Sequence, residues 1–323
     1  MSIKKNISIQ VNLAGKFISI LLEKFMILKI VVGMPAYNEE ENIAKAIVKL
    51  QKIVDKIIVC NDGSSDLTGE IAEKMGAEII NHPKNLGYGA AIRSIFLKAV
   101  ELDADILVTF DADGQHRIED IQSIIQPILD GEADIVIGSR FLNKENSENV
   151  PVYRKLGIKT ITSLTDSMTD FKLTDAQSGF RAYEKKVLKE INPSEYGMGV
   201  STEILIKASK KKFKVKEVPI TILYEGDTST HNAVSHGTSV ILSTLKFASI
   251  EHPLKFYGIP GIIFLVIGLF FVVWTIQSFT ETRQIITNIS LIGIGSVILG
   301  TMFSVTSIML YSLVSVVREN QNR

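Results

Sequence analysis

The stretch "DILVTFDADGQH", residues 105–116, joins an apolar run to two carboxylates one residue apart. Such a run is typical of a strand buried in a parallel sheet. Residues i and i+2 of an extended chain point to the same side, so Asp111 and Asp113 can converge on one cation. Paired carboxylates at a strand end repel each other unless a cation lies between them. The stretch therefore predicts a strand that ends at a Mg²⁺ or Mn²⁺ site, with Gln115 as a third contact. A polar turn that caps the next helix is the alternative interpretation.

Apolar runs and amphipathic stretches alternate on both sides of this stretch, beginning at Ile27. The alternation predicts an α/β domain with a parallel sheet covered by helices. In such sheets ligands bind beyond the carboxyl ends of the strands. The predicted strands are "ILKIVVGMP", "KIIVCND", "AEII", "DILVTFD", "ADIVIGS" and, later in the chain, "QSGFRAY" and "FKVKEVPITILY". The predicted helices are "EEENIAKAIVKL", "DLTGEIAEKM", "GAAIRSIFLKAV" and "IEDIQSIIQPIL".

Polar residues follow two further strands. In "PAYNEE" (residues 35–40) and the Glu41 that follows it, the Asn38–Glu41 spacing resembles a capping box. In "NDGSSD" (residues 61–66), the carboxylate of Asp62 is placed to accept hydrogen bonds from a nucleobase or ribose. "NLGYGAAIR" (residues 85–93) is either a phosphate-approaching loop or a simple glycine turn. Neither the G-x-G-x-x-G pattern nor a Walker sequence occurs, which disfavours a dehydrogenase and an ATPase.

The composition excludes several classes of function. Lys plus Arg and Asp plus Glu number 35 each, so the overall charge gives no reason to expect a nucleic-acid partner. The single cysteine, Cys60, rules out an internal disulfide and is interpreted as a core residue of a strand. The five histidines lack the spacing of a structural zinc site.

The C-terminal end carries two long apolar stretches, residues 257–279 and about 289–317. Each is long enough to cross the ~30 Å bilayer core as a helix. Lys246 and Lys255 precede the first stretch and Arg318 follows the second, whereas the connection holds only one acidic and one basic residue. This asymmetry predicts a hairpin in the plasma membrane with the large domain and both termini in the cytoplasm. Residues 239–250 show helical spacing typical of a helix at the membrane surface.

Taken together, "PAYNEE", "NDGSSD", "NLGYGAAIR" and "DADGQH" resemble the family-2 glycosyltransferases with the GT-A fold. "GSRF" (residues 138–141), "DAQSGFRAY" (residues 175–183) and the hairpin are similar to the polyprenyl-phosphate branch, which includes dolichyl-phosphate mannose and glucose synthases. The resemblance implies a nucleotide-sugar donor, a divalent cation, Mg²⁺ or Mn²⁺, and a polyprenyl or dolichyl phosphate acceptor. The Q-x-x-R-W element of processive synthases is absent, which favours a single transfer per encounter.

The resemblance also implies roles for individual residues. The catalytic set is Asp111, Asp113 and Arg181, and the metal ligands are Asp113, Gln115 and Asp111. The predicted donor-binding residues are Pro35, Tyr37, Glu39, Asp62, Gly87, Arg93 and Asp111. The predicted acceptor-phosphate residues are Arg140, Ser178 and Arg181, and a loop with Ser229 and His231 is expected over the diphosphate.

The functional prediction is metal-dependent, inverting transfer of a hexose to a polyprenyl phosphate at the cytoplasmic membrane face. GDP-mannose, UDP-glucose and UDP-N-acetylglucosamine remain alternatives for the donor, because Gln177 and Ser178 replace the Thr-Gly pair common in mannose synthases. A lipid hydroxyl acceptor is a second hypothesis, with Glu203 as its general base, and a non-catalytic nucleotide-sugar-binding scaffold is a third. A homo-oligomer also remains open. The predicted organisation is an N-terminal arm (residues 1–26), a GT-A domain (27–232), an interfacial segment (233–255), two membrane helices (256–317) and a tail (318–323).

Overall fold

The computed structural model describes residues 28–143, 152–221, 249 and 253–321. The chain divides into two compact units, with the boundary between Ile241 and Leu242. The predicted N-terminal arm, the loop with Ser229 and His231, and the predicted surface helix apart from Ser249 lie outside the described residues. The predicted domain boundaries therefore stay predictions.

The first unit is an α/β fold in the predicted order. A seven-stranded sheet has the strand order β3-β2-β1-β4-β6-β5-β7, and every pairing is parallel except those of β6, which runs antiparallel to β4 and β5. The strands are β1 (Ile30–Ala36), β2 (Lys56–Asn61), β3 (Glu78–Asn81), β4 (Ile106–Thr109), β5 (Ile135–Ser139), β6 (Arg181–Glu184) and β7 (Val215–Pro219). The helices are α1 (Ile43–Leu50), α2 (Thr68–Lys74), α3 (Tyr88–Glu101), α4 (Asp120–Leu129), α5 (Val152–Met168), α6 (Lys185–Glu190) and α7 (Val200–Lys210).

Both faces of the sheet are buried, as continuous apolar strands require. Strand β1 shows how this works, because its successive side chains alternate between two clusters. Val32 packs with α1 and α4, whereas Val31 packs with α3 on the opposite face. Burying one such side chain stabilises the fold by about 1.5–3 kcal/mol relative to leaving it exposed. The strand ends are therefore held rigidly beneath the loops that follow them.

The Cys60 thiol is predicted to resist alkylation in the folded protein. The residue is fully buried on β2, and burial raises its pKa to about 12. At about pH 8 the reactive thiolate is then only on the order of 10⁻⁴ of the population. Maleimide labelling read by mass spectrometry should leave the native chain unmodified and add one label after denaturation. Rapid labelling of the native chain would contradict the buried placement of this strand.

The loops after β1 and β2 pair with each other, which differs from the predicted capping box. Helix α1 begins only at Ile43, and Asn38 has a positive φ of 56°. The Asn38 N–H donates to Ser64 Oγ at 3.0 Å, and its side-chain oxygen accepts the Ser65 N–H at 2.9 Å. The Glu39 N–H donates to Thr68 Oγ1 at 2.8 Å. The side chain of Asn38 therefore joins two strand-end loops instead of capping its own helix.

The second unit is a helical hairpin. A short π-helical turn, Leu254–Gly258, leads into α8 (Ile259–Thr282), and α9 spans Thr287–Gln321. Leu254–Thr282 and Thr287–Val314 are long and apolar enough to cross a membrane, as the sequence predicts. Small residues let the helices approach closely, since a Cβ on Gly300 would lie 2.7 Å from the Leu265 amide nitrogen. These two helices are the candidate membrane spans.

Candidate active site

A cleft of about 370 Å³ opens at the carboxyl ends of β1 and β4. It gathers side chains from strand ends that are distant in sequence, as a sheet of this type predicts. Four predicted site residues line it: Pro35, Glu39, Asp111 and Asp113. Tyr88, Ala112, Gln177, Gly179, Met198 and Ser201 complete the lining.

The Asp111 carboxylate lies between two polar side chains. Oδ1 is 3.5 Å from the hydroxyl of Tyr88, and Oδ2 is 3.3 Å from Nε2 of His116. The backbone of Gly179 passes so close that a Cβ there would lie 2.8 Å from Oδ2. The His116 ring packs against Phe110 and Phe180, so its orientation is fixed by burial. Two polar side chains and the closely packed backbone of Gly179 therefore fix the position of the carboxylate at the edge of the cleft.

The Asp113 carboxylate belongs to the same cleft and also faces a second cavity. Its Oδ1 accepts the backbone N–H of Gln115 at 3.0 Å. Gln115 lines the second cavity, of about 310 Å³, together with Asp113. The three predicted metal ligands therefore lie around one loop, but Asp113 alone lines both spaces.

The charges in the cleft fit a divalent cation. Burial raises the pKa of the Glu39 carboxyl, and the nearby Asp113 and Asp111 carboxylates raise it further. In the described part of the chain, no three acidic, histidine or cysteine side chains form a closed metal cage. Mg²⁺ characteristically uses one or two carboxylates and completes its shell with water and substrate phosphates. Asp111 and Asp113 match that open donor set.

The raised pKa of Glu39 predicts how stability varies with pH when no divalent cation is present. The folded state holds the proton of the Glu39 carboxyl more tightly than the unfolded state does. Protonation of Glu39 therefore stabilises the fold fully below the ordinary pKa of 4.5, and this stabilisation is lost as pH rises through the raised pKa. Melting curves in EDTA should show that, as pH rises through this range, the melting temperature of Glu39→Gln increases relative to that of the parent protein. A constant difference between the two proteins would contradict the raised pKa of Glu39.

The Asp62 carboxylate is occupied by its own chain. It is 4 % exposed, and it accepts the N–H of Leu86 at 3.0 Å and of Gly87 at 2.8 Å. Nδ1 of His82 lies 2.6 Å from its Oδ1. The carboxylate therefore anchors the loop before α3. Its contact with a nucleobase or ribose stays a prediction, because in this conformation its oxygens accept hydrogen bonds from the protein itself.

The glycine-rich loop packs against the backbone of residues 195 and 196. The N–H of Gly89 donates to the backbone carbonyl of Tyr196 at 2.8 Å, and that of Ala90 does so at 3.3 Å. A Cβ on Gly89 would lie 2.1 Å from the Glu195 carbonyl oxygen. The interpretation as a glycine turn thus accounts for this loop, because the donors expected to face phosphate are used internally. Donor contact by Gly87 and Arg93 stays a prediction, and Arg93 Nε has no hydrogen-bond partner among the described residues.

The predicted acceptor residues are not among those that line the cleft. Arg181 is 1 % exposed, and its guanidinium donates to the carbonyls of Ser178, Ser201 and Ala176 at 2.7–3.0 Å. Arg140 makes a two-pronged ion pair with the buried Asp175, at 2.6 and 2.7 Å. This conformation gives Arg181 a structural position, so its phosphate contact and catalytic role remain predictions.

Three other candidates differ in their surroundings. Ser178 is buried, and its hydroxyl has no hydrogen-bond partner within the described ranges. Tyr37 is 44 % exposed and lies outside the lining of the cleft. Glu203 is fully buried, accepts the N–H groups of residues 194 and 195, and pairs with Lys207 at 2.6 Å. A general base needs access to the reacting hydroxyl, so Glu203 in this conformation does not serve the alternative hydroxyl acceptor.

Comparisons with known proteins agree with this geometry. Residues 31–192, about half of the chain, match the family described as glycosyl transferase family 2. The chain belongs to this family. The glycosyltransferase is similar to UDP-N-acetylglucosamine–dolichyl-phosphate N-acetylglucosaminyltransferase of Methanococcus voltae, with 36 % identity covering 65 % of this chain and 89 % of that protein. It is also similar to a dolichyl-phosphate hexose transferase of Haloferax volcanii, with 33 % identity covering 67 % and 92 %.

A solved structure supports the fold of the glycosyltransferase. Glucosyl-3-phosphoglycerate synthase from Mycobacterium tuberculosis, crystallised with Mn²⁺, UDP and phosphoglyceric acid, superposes with a TM-score of 0.54. The two share 20 % identity over 70 % of this chain and 80 % of that one. The predicted family, the GT-A-like fold and the assignment as a glycosyltransferase related to dolichyl-phosphate sugar transferases are therefore confirmed.

Sequence reasoning missed several cleft residues of the glycosyltransferase. Tyr88 lies inside the quoted glycine-rich motif, yet it was interpreted only through its neighbours. His116 closes the quoted acidic motif without an assigned role. A partly buried carboxylate such as that of Asp111 needs polar partners, and this requirement was the available signal for both residues. Met198 and Ser201 carried no comparable signal, because only the fold brings the start of α7 and the residues before it to the cleft.

Proposed function

We propose that this glycosyltransferase moves a hexose from a nucleotide-sugar donor to a polyprenyl or dolichyl phosphate. The observation that carries the proposal is the cleft in which Asp111, Asp113 and Glu39 meet at the strand ends. The dolichyl-phosphate transferases among its relatives support the acceptor class. UDP-N-acetylglucosamine, UDP-glucose and GDP-mannose are the donors to compare.

On the donor side, Asp111 and Asp113 would hold Mg²⁺ or Mn²⁺. A bound divalent ion of this kind acts as a Lewis acid that neutralises charge developing on a diphosphate leaving group. The chain itself contributes fixed orientation, since Asp113 is tied to the Gln115 backbone and Asp111 lies between Tyr88 and His116. Fixed charges of this type need no reorganisation during the reaction.

On the acceptor side, a phosphate monoester makes a general base unnecessary. Its second pKa is near ~6, so most molecules are already dianions at about pH 7. The protein then has only to place one phosphate oxygen behind the anomeric carbon, and well-oriented reactions of this kind gain up to roughly 7–11 kcal/mol. Attack from behind predicts inversion at the sugar carbon. The buried position of Glu203 is consistent with a reaction that needs no base.

Two of the predicted acceptor residues are suited to the acceptor phosphate. The fork of Arg140 holds the Asp175 carboxylate, and a phosphate that replaced this carboxylate would meet the same two donors. Ser178 keeps a hydroxyl without a partner among the described residues, next to the cleft-lining Gln177 and Gly179. A buried hydroxyl without a partner costs about 1–3 kcal/mol, which a ligand oxygen would offset.

The two candidate spans support an acceptor that stays in the bilayer. A polyprenyl phosphate keeps its head group at the interface and its chain in lipid, so an enzyme anchored there needs no extraction step. Positive residues at the outer ends of the hairpin support an orientation with the catalytic unit and both termini in the cytoplasm, and the plasma membrane is the location we propose. Residues 27–232 would form the transferase domain and 256–317 the anchor.

A panel assay tests the proposal. Membranes containing the full chain are incubated with Mn²⁺, each of the three radiolabelled donors, and either dolichyl or undecaprenyl phosphate. We expect one donor to give an acid-labile lipid-phosphate sugar of inverted configuration. Labelling only of a lipid hydroxyl would establish the alternative acceptor, and a retained configuration would refute direct displacement.

A further inference from the structure

The glycine-rich loop is held on both sides of Tyr88. Before it, the amides of residues 86 and 87 donate to the Asp62 carboxylate at 3.0 and 2.8 Å. After it, the amides of residues 89 and 90 donate to the Tyr196 carbonyl at 2.8 and 3.3 Å. Four backbone donors, two on each side of Tyr88, are therefore bonded within the protein. We call these four amides, together with the Asp62 carboxylate and the Tyr196 carbonyl that accept from them, the clamp around Tyr88.

Both acceptors of this clamp are themselves fixed. His82 contacts Asp62 at 2.6 Å and Ser94 Oγ at 2.9 Å through its two ring nitrogens. Beside Tyr196, the buried Glu203 accepts the backbone amide of residue 194 at 2.9 Å and that of residue 195 at 2.8 Å. Polar networks that are buried and satisfied in this way rigidify the segments they join. The segments before and after Tyr88 are therefore both bonded to groups that are themselves fixed.

Glycine is required by this clamp at two positions. Gly87 has a φ of 101°, which side chains rarely adopt, and a Cβ there would lie 2.5 Å from the Tyr196 carbonyl oxygen. At Gly89 a Cβ would lie 2.1 Å from the Glu195 carbonyl oxygen. The motif is therefore explained by close contact between two backbone segments.

The clamp directs the ring of Tyr88 into the catalytic cleft. The hydroxyl lies 3.5 Å from Asp111 Oδ1, while His116 Nε2 lies 3.3 Å from the other carboxylate oxygen. A phenolic hydroxyl donates toward a carboxylate, which in its ionised form can only accept. Catalytic hydrogen bonds are often this long before ligands bind and shorten afterwards.

We propose that Tyr88 is a positioning residue that orients Asp111 for the cation and donor diphosphate, and that the glycine-rich loop exists to hold Tyr88. This inference rests on the proposed function, because it concerns the same cleft. It assigns a task to a loop whose backbone donors are already used within the protein. It also predicts that loss of one hydroxyl weakens metal-dependent nucleotide binding without unfolding the protein.

Isothermal titration calorimetry on the full chain in detergent tests this. UDP and GDP are titrated in the presence of Mn²⁺, and the nucleotide that binds the parent protein is used thereafter. Tyr88→Phe keeps the ring and should weaken binding about 3- to 10-fold, the effect of a hydrogen bond to a charged group at long distance. Tyr311→Phe, in the second unit, whose parent side chain is also 54 % exposed, is the matched control and should bind like the parent. Melting curves check that both variants fold.

Two further variants locate the effect. In an Asp111→Asn background, Tyr88→Phe should cause no additional loss, because the pair acts as one unit. Replacing Tyr88 by 4-aminophenylalanine, which keeps a donor at the same ring position, should restore affinity. Unchanged binding by Tyr88→Phe, or an equal loss in the Asp111→Asn background, overturns the role of Tyr88. A parent protein that binds neither nucleotide with Mn²⁺ instead refutes the proposed donor class and this inference with it.

Discussion

Replacing Asp113 by Asn should lower sugar transfer by on the order of 10³-fold, the scale seen when a preorganised electrostatic group is removed from an active site. Asn keeps the shape of the side chain but removes the charge needed to hold a divalent cation. The carboxylate lies in a cleft that already contains Asp111 and Glu39. The melting temperature should stay the same or rise, because repulsion among the carboxylates falls. Product formation with the active donor at saturating Mn²⁺ measures the effect.

Asp130→Asn is the matched control for that experiment. Asp130 follows α4 on the surface and accepts a hydrogen bond from Gln126, which an amide oxygen can also accept. Its activity should equal that of the parent protein. Undiminished turnover by Asp113→Asn would dismiss the proposed cation site, whatever the lipid acceptor turns out to be.

Replacing Arg181 by Ala should destabilise the α/β unit by about 3–5 kcal/mol, because each buried carbonyl left unpaired costs about 1–3 kcal/mol and the lost side chain leaves a cavity. The guanidinium is buried and donates to three backbone carbonyls, from Ser178, Ser201 and Ala176. Truncation leaves those carbonyls unpaired and opens a cavity beneath the cleft. The melting transition of the full chain, followed by circular dichroism, should shift down clearly.

The same variant separates two roles for Arg181. Arg117→Ala, whose parent side chain is 45 % exposed, is the control and should change stability by no more than about 0.5 kcal/mol. Suppose instead that Arg181→Ala melts like the parent protein and fails only with the lipid phosphate. The guanidinium would then contact the acceptor, as the family resemblance implies, and the buried arrangement would not persist during turnover.

Local patterns predicted most of the fold. Apolar runs gave the strands because both faces of the sheet are covered, and helical spacing gave α1 to α4. The insertion of β6 between β4 and β5 was not predictable in this way, since pairing order depends on contacts between residues such as Thr109 and Arg181 that are 72 positions apart. Burial and spacing act within a short window, whereas strand order does not.

In the site, too, local features were predictable and distant contacts were not. The placement of Asp111 and Asp113 in one cleft was predictable, because two carboxylates at one strand end have few structural reasons to exist. The donor contact of Asp62 was predicted from its place at a strand end and stays a prediction, whereas its partners within the chain, the amides of residues 86 and 87, could not be identified from sequence. Tyr88 was missed for the converse reason: a tyrosine between two glycines carries no signal until the fold shows where its hydroxyl points.

The position of β6 affects the order in which the chain can assemble. In the described sheet, β5 pairs only with β6 and β7, so it has no partner until residues 181–184 have been made. A nascent chain that ends near residue 140 would carry β4 as an open edge, and unpaired edges recruit other strands. Gly179 reaches Asp111 only when this late strand enters. The protein therefore cannot form a working cleft from its first half, and incomplete chains should aggregate before they can bind substrate.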